Sequence, residues 1–162
     1  LERAPSTTGV LRASPAAARR ALRLLRKRTL VHTAWQELVL GASPLVTARL
    51  WSDVADACIV VADRVAFHET TRKLGPMAQA RAVLALGKLG SRELNPSSDV
   101  DIVCVYGADD DGGAVSAHEW FTQWARRLRS VLADVDDDGF VFRVDFDLRP
   151  EGTRGPLVRR LS

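Results

Sequence analysis

Asp99 and Asp101 stand two residues apart at the head of the apolar run from Val100 to Tyr106. They follow a glycine-punctuated turn, Gly87-Lys-Leu-Gly-Ser91, and the turn residues Ser97 and Ser98. Alternate residues of a strand face the same side, so both carboxylates share one face while Val100 and Ile102 take the other. Neighbouring like charges repel, and Asp is unfavourable within a strand, so the pair calls for a chemical reason. A hard divalent cation, which takes oxygen ligands, supplies one. Asp145 and Asp147 repeat the arrangement inside Phe140-Val-Phe-Arg-Val-Asp-Phe-Asp-Leu148, and a third carboxylate from this run completes a two-metal site. The plainer alternatives are a capped turn for the first pair and the solvent face of an edge strand for the second. The glycine turn is not a P-loop, because Gly-x-x-x-x-Gly-Lys-Ser/Thr is absent. Its backbone amides and Lys88 can still cradle a phosphate, which is the weaker signal.

The elements that must position these residues read as helices first and a mixed region after. Ser14-Pro15 is a helix start, with a serine cap and proline at the first helical position, and Gly41 stops that helix. Leu24, Val31, Trp35 and Leu38 form its apolar stripe. Ser43-Pro44 repeats the start signal, and Val46, Leu50, Val54, Cys58, Val61 and Val65 recur every three or four residues up to about Leu74, before Gly75-Pro76. Residues 81–86 read as a buried strand and residues 100–106 as a second. Residues 116–134 have a helical period with Trp120, Trp124, Leu128 and Val131 on one stripe. Residues 140–148 read as a third strand, and the Pro- and Gly-rich tail from Arg149 to Pro156 as a loop. The expected class is therefore α+β. A helical N-terminal region, residues 1–76, precedes a core, residues 77–162, built on a small mixed sheet.

Composition narrows the function classes. The chain has 162 residues, 46% of them apolar, which suits a globular protein. No apolar stretch approaches a membrane span, and the N-terminus lacks the pattern of a signal peptide. The chain opens on Leu rather than Met, as a fragment would. The net charge of +3 hides an asymmetry. Eight Arg or Lys face one Glu in residues 1–30, and twelve Asp or Glu face four Arg in residues 99–147. The basic half has no aromatic interleaving, so a solvated helix face is favoured over a nucleic-acid partner. The runs Asp109 to Asp111 and Asp136 to Asp138 read as solvated turns. His32, His68 and His118 fall at no metal-ligand spacing. Cys58 and Cys104, isolated in apolar runs, read as buried reduced thiols of a cytoplasmic protein.

The blocks around both aspartate pairs resemble a known family. Arg81-Ala-Val-Leu-Ala-Leu-Gly-Lys-Leu-Gly-Ser-Arg-Glu-Leu-Asn-Pro-Ser-Ser-Asp-Val-Asp-Ile102 is similar to the signature of glutamine synthetase adenylyltransferases, bifunctional enzymes of the polymerase-β-like nucleotidyltransferase superfamily. Arg143-Val-Asp-Phe-Asp-Leu-Arg-Pro-Glu-Gly-Thr-Arg-Gly-Pro-Leu-Val158 resembles the family's second block, and Trp51-Ser-Asp-Val-Ala-Asp-Ala57 the helix before the core. Two departures stand out: Ser91 replaces a glycine, and Asp147 stands where the family usually has Arg.

The resemblance implies a nucleotidyltransferase core in which Asp99, Asp101 and Asp145 are catalytic and bind two Mg²⁺. It implies nucleotide or phosphate contacts from Gly87, Lys88, Gly90, Ser91, Ser98 and Arg149. The implied partners are glutamine synthetase as protein substrate, ATP, AMP or phosphate, and a nitrogen-signalling regulatory protein, with no nucleic acid and no membrane. The implied activity is transfer of AMP to a tyrosine or its phosphorolytic removal. Glu93-Leu-Asn95 and Gly155-Pro-Leu-Val158 look more like the removing half, with the module incomplete at its C-terminus. A catalytically silent binding module of the same fold is the alternative.

Overall fold

The computed structural model describes residues 14–107 and 115–161; Asp109 to Asp111 lie outside them. The order of elements is α1 (Pro15–Leu38), α2 (Pro44–Leu74), β1 (Arg81–Ala85), a single-turn α3 (Gly87–Gly90), β2 (Val100–Tyr106), α4 (Ala117–Ala133), β3 (Val144–Asp145), a 3-10 turn (Gly152–Arg154) and β4 (Val158–Arg160). The class is α+β, consistent with a nucleotidyltransferase-like fold. Both serine–proline starts behave as expected. The Ser14 side chain accepts from the Ala17 N–H at 3.2 Å and the Ser43 side chain from the Leu45 N–H at 3.3 Å. Helix α2 stops at Gly75, whose φ of 86° is accessible to glycine at little cost.

Strand β2 is the centre of the sheet. Antiparallel β1 lies on one side, with Ala85 opposite Ile102 and Arg81 opposite Tyr106. The other side is shared by two short parallel partners. Strand β3 sets Val144 beside Val100 and Asp145 beside Asp101, while β4 sets Val158 beside Cys104 and Arg160 beside Tyr106. The expected strand over residues 140–148 is thus cut to two residues. Val141 and Phe142 turn their N–H groups to the Leu132 carbonyl (2.9 Å each) to pack under the end of α4, and residues past Asp145 leave the sheet in a turn. The tail from Arg149 to Pro156 is a loop as expected, closed by the 3-10 turn, and the chain then adds β4 beyond it, which the sequence reading did not foresee.

Helix α4 packs across the sheet and α2. Its four stripe residues Trp120, Trp124, Leu128 and Val131 are fully buried, each contributing roughly 1.5–3 kcal/mol of apolar burial. Trp120 also donates to the Gly75 carbonyl (3.0 Å) and Trp124 to Asp63 (2.9 Å). Asp63 in turn takes two 2.8 Å hydrogen bonds from Arg81, whose guanidinium lies 3.8 Å from the Phe67 ring centroid. Cys58 and Cys104 are free, buried thiols, both pushed up to about 12 chiefly by burial.

The helical stripes of α1 and α2 differ from expectation. Helix α2 buries Trp51, Ala55, Cys58, Ile59, Ala62 and Ala66, so its core face is rotated from the valine stripe and only Cys58 belongs to both. Helix α1 buries Ala18, Leu22, Arg23, Thr29 and Thr33, leaving Val31 (71%), Trp35 and Leu38 (85%) exposed. Polar anchors select that face. Thr33 accepts from the Trp51 indole N–H (3.1 Å) and Arg23 donates to the Gly139 and Asp134 carbonyls (2.7 and 2.9 Å). The turn Asp136 to Asp138 is consequently more than a solvated turn. Asp136 pairs with Arg23 at 2.7 Å, and Asp138 with Arg20 at 3.2 Å and Lys27 at 3.6 Å. Three cations of the basic first half, Arg20, Arg23 and Lys27, therefore meet the chain's own acidic turn. Among the described residues no helix is long and apolar enough to cross a membrane.

Candidate active site

The N-terminal end of β2 carries the candidate site. Asp101 sits beside Asp145 across the β2–β3 register. The β1-to-β2 connection is folded tightly against it, with the Leu86 N–H donating to the Asp101 carbonyl at 2.9 Å. Gly87 has φ +52°, and a Cβ there would run into the Asp101 carboxylate. Glycine at this position thus supplies both a left-handed turn and room for the acid. Gly90 serves packing instead: a Cβ would come within 2.8 Å of the Ala85 carbonyl oxygen. Lys88 reaches Ser98 at 3.4 Å. Ser91 is turned away, its hydroxyl on the Lys88 carbonyl and the Glu93 carboxylate, both at 3.3 Å.

The loop from residue 91 to 98 is strapped to α2 and α1. Arg92 pairs with Asp53 and, at 3.2 Å, with Asp56; buried Leu94 donates its N–H to Ser52 (3.2 Å). Arg26 of α1 donates to the Pro96 carbonyl (3.3 Å) and lies 4.6 Å from the Phe140 ring centroid. Helices α1 and α2 thereby set the approach to Asp99.

The three expected carboxylates are neighbours but do not form a closed ligand set. Burial, then the negative charges of Asp145 and Asp99, raise the Asp101 carboxyl above its ordinary value, with Lys88 opposing in part. Asp99 is ion-paired with Arg143, which also donates to the Ser97 carbonyl. Asp145 accepts the Asp147 N–H at 2.6 Å. Among the described residues no group of three acidic, His or Cys side chains is gathered closely enough to hold a metal. By donor chemistry the set still fits a hard cation. Oxygen ligands come from adjacent backbone positions, and the mutual repulsion felt at Asp101 is what a dication would relieve. Asp99 is instead engaged by Arg143.

Asp99 and Asp145 open into a cleft of about 710 Å³ that also takes in Asp147 and Arg149; Asp101, Lys88 and Ser98 lie outside its lining. Asp147 reaches this cleft from a turn, not from strand alternation, and sits 3.6 Å from Arg149. Arg149 is held by the carbonyls of Phe146 (2.8 Å) and Gly155 (3.3 Å). Sequence reading missed Arg126 and Arg129, which line the same cleft from α4. Arginine on the polar side of an amphipathic helix looks like any solvated charge; only the spacing of three, which puts both on one face, hints at a shared target.

Comparison with known proteins follows the same residues. The sequence model of the glutamate-ammonia ligase adenylyltransferase family matches residues 6–162. The chain is 42% identical over 159 residues to the bifunctional glutamine synthetase adenylyltransferase/adenylyl-removing enzyme of Ralstonia nicotianae, covering 90% of this chain and 16% of that protein. The enzyme of the same name from Burkholderia pseudomallei is 40% identical over 159 residues, covering 90% and 17%. That of Pseudomonas aeruginosa is 38% identical over 150 residues, covering 86% and 15%. The chain thus spans about a sixth of the length of these relatives. With a family match running through both aspartate blocks, the chain belongs to the glutamate-ammonia ligase adenylyltransferase family.

Proposed function

We propose that the chain is a nucleotidyltransferase module acting on glutamine synthetase, and that its reaction is removal of AMP from a tyrosine by phosphorolysis. The observation that carries the reading is the registered pair Asp101 and Asp145 beneath a glycine that makes room for the acid. The names of the relatives supply the protein substrate. Inorganic phosphate as the attacking group and ADP as the product are then its small-molecule partners, with ATP entering only in the transferring direction.

In the removing direction an oxygen of inorganic phosphate attacks the α-phosphorus of the adenylyl-tyrosine. The bond from phosphorus to the tyrosyl oxygen breaks, ADP leaves, and the tyrosyl oxygen takes up a proton. Asp101 and Asp145, joined by Asp99 once it leaves Arg143, would hold Mg²⁺, which supplies neutralisation of phosphate oxygens and in-line alignment. The chain's own groups do the rest. Lys88 and Ser98 flank the acid cluster, Arg149 offers a fixed guanidinium, and the strapped loop sets the approach. A silent binding module is the second reading, favoured by the Asp99–Arg143 pair and by Asp147 in place of the usual arginine.

The test incubates the protein with Mg²⁺ and either adenylylated glutamine synthetase plus phosphate or the unmodified enzyme plus ATP. Intact mass of the glutamine synthetase subunit is the readout. Loss of AMP with release of ADP in the first mixture is expected. Gain of AMP in the second mixture alone reverses the direction. No change in either, together with no Mg²⁺-dependent nucleotide binding, leaves the binding module.

A further inference from the structure

The cleft has two chemically distinct walls. The strand wall carries Asp99, Asp145 and Asp147. The opposite wall is α4, which contributes Arg126 and Arg129, three apart on one helix face, together with Ser130 and, at the helix end, Asp134, whose carboxylate is taken by the Ser130 hydroxyl. Both are exposed, and neither forms an ion pair with a described residue. Arg149 joins them with its side chain only 10% exposed. Carbonyl oxygens take its Nε and Nη1, while Asp147 stands off at 3.6 Å, beyond good hydrogen-bonding distance. A guanidinium fixed in this way keeps its orientation without a ligand, so little side-chain freedom is lost when one arrives. Two exposed, unpaired arginines lining one cleft with a fixed one is not an arrangement that stability alone accounts for. Like charges at one cleft repel, and none of the carboxylates lining it stands within ion-pairing distance of Arg126 or Arg129.

We infer that Arg126, Arg129 and Arg149 form an anion cradle for a tetrahedral phosphoryl group, set against the carboxylate wall so that the group is gripped by cations from both sides once metal is bound. The planar guanidinium fork suits phosphate oxygens, which accept two parallel N–H bonds from one arginine. The inference deepens the proposed reaction and rests on it for its biological meaning. In that setting the cradle holds the attacking inorganic phosphate rather than the adenylyl group. The cradle itself makes a claim about metal-free binding that can be tested apart from the reaction.

The experiment titrates inorganic phosphate into the metal-free protein by isothermal calorimetry, in parallel with Mg²⁺ alone. Four proteins are compared: the unaltered chain, Arg126→Gln/Arg129→Gln, Asp101→Asn, and Arg72→Gln/Lys73→Gln. The last removes the same charge from the exposed end of α2, outside the cleft. All altered arginines and the lysine are at the surface, and circular dichroism checks folding. The inference expects phosphate binding at least about tenfold weaker in Arg126→Gln/Arg129→Gln, with Mg²⁺ affinity and the charge control unchanged. It expects Asp101→Asn to lose Mg²⁺ yet keep phosphate. Phosphate binding absent from the unaltered chain at millimolar concentration, or equal in the unaltered chain and Arg126→Gln/Arg129→Gln, overturns the cradle while leaving the metal site standing. Phosphate bound through the cradle with no Mg²⁺ response supports the cradle and removes the proposed chemistry. A final arm separates the sources of the phosphoryl group. Metal-free ATP that competes with phosphate places a nucleotide phosphate there, and ATP that does not compete leaves inorganic phosphate as the occupant.

Discussion

Replacing Gly87 by alanine tests the geometry of the site with an internal control. At φ +52° an L residue pays about 1–2 kcal/mol for the left-handed conformation. Gly139 offers the comparison: its φ is +83°, and a Cβ there meets nothing within 4 Å. Gly139→Ala therefore carries the backbone penalty alone. Gly87→Ala carries it too, and its methyl must displace the Asp101 carboxylate, which can swing aside at small cost to the fold. The two variants should thus lose similar stability, about 1–2 kcal/mol, or roughly 2–8 °C in Tm for a chain of this size. They should differ in Mg²⁺ affinity. Turning Asp101 away from Asp145 removes a ligand, so Gly87→Ala should bind Mg²⁺ at least about tenfold more weakly, a loss of about 1.4 kcal/mol. Gly139→Ala should bind it normally. Differential scanning calorimetry across a Mg²⁺ series reads both quantities, because a ligand of the native state raises Tm by mass action. Equal Mg²⁺ responses in the two variants would refute the reasoning, since Asp101 would then not lie against Gly87 or would not be a ligand.

Three further expectations follow from other parts of the molecule. Asp63→Ala leaves the Arg81 guanidinium and the Trp124 indole N–H without their partner and should cost about 2–3 kcal/mol in urea unfolding; a loss below 0.5 kcal/mol would show the trio to be energetically idle. Arg143→Gln frees Asp99 from a competing cation, and Mg²⁺ binding should tighten several-fold in calorimetry; weaker binding would mean that Arg143 orients Asp99 for the metal instead of withholding it. Cys58 and Cys104 ionise in the folded chain only near pH 12, well above an ordinary thiol. Their burial thus leaves stability intact below the unfolded thiol pKa and erodes it as pH rises from about 9 towards 12, and native protein at pH 8 should resist iodoacetamide that labels both thiols after unfolding.

What the sequence made legible tracks how much of each element's environment is encoded locally. The α4 stripe could be read because Trp120, Trp124, Leu128 and Val131 are large and all buried. Gly87, Asp99 and Asp101 could be placed because a turn and a strand fix their relations within fifteen residues. The α1 stripe misled because burial there is decided by distant partners of Arg23 and Thr33, which periodicity cannot register. Strand β4 escaped because Val158-Arg-Arg160 has too few residues to show a period; only pairing with β2 makes it a strand. The Asp99–Arg143 pair joins residues 44 apart in sequence, and the Arg126 and Arg129 wall exists only once α4 lies across the sheet.

The central position of β2 has a consequence for how the site comes into being. Asp101 meets its partner on β3 only after a stretch of more than forty residues, including all of α4, has been closed into a loop, and β4 joins later still in sequence. Such non-local pairings cost chain entropy before they return any contact energy. The acidic cluster should therefore form after the local β1–β2 hairpin, which closes a shorter loop. A ligand that grips both walls of the cleft acts as a staple across that loop. The expected outcome is slower unfolding with an almost unchanged folding rate, as for contacts made after the barrier; an equal gain in folding rate would place the cluster in the transition state.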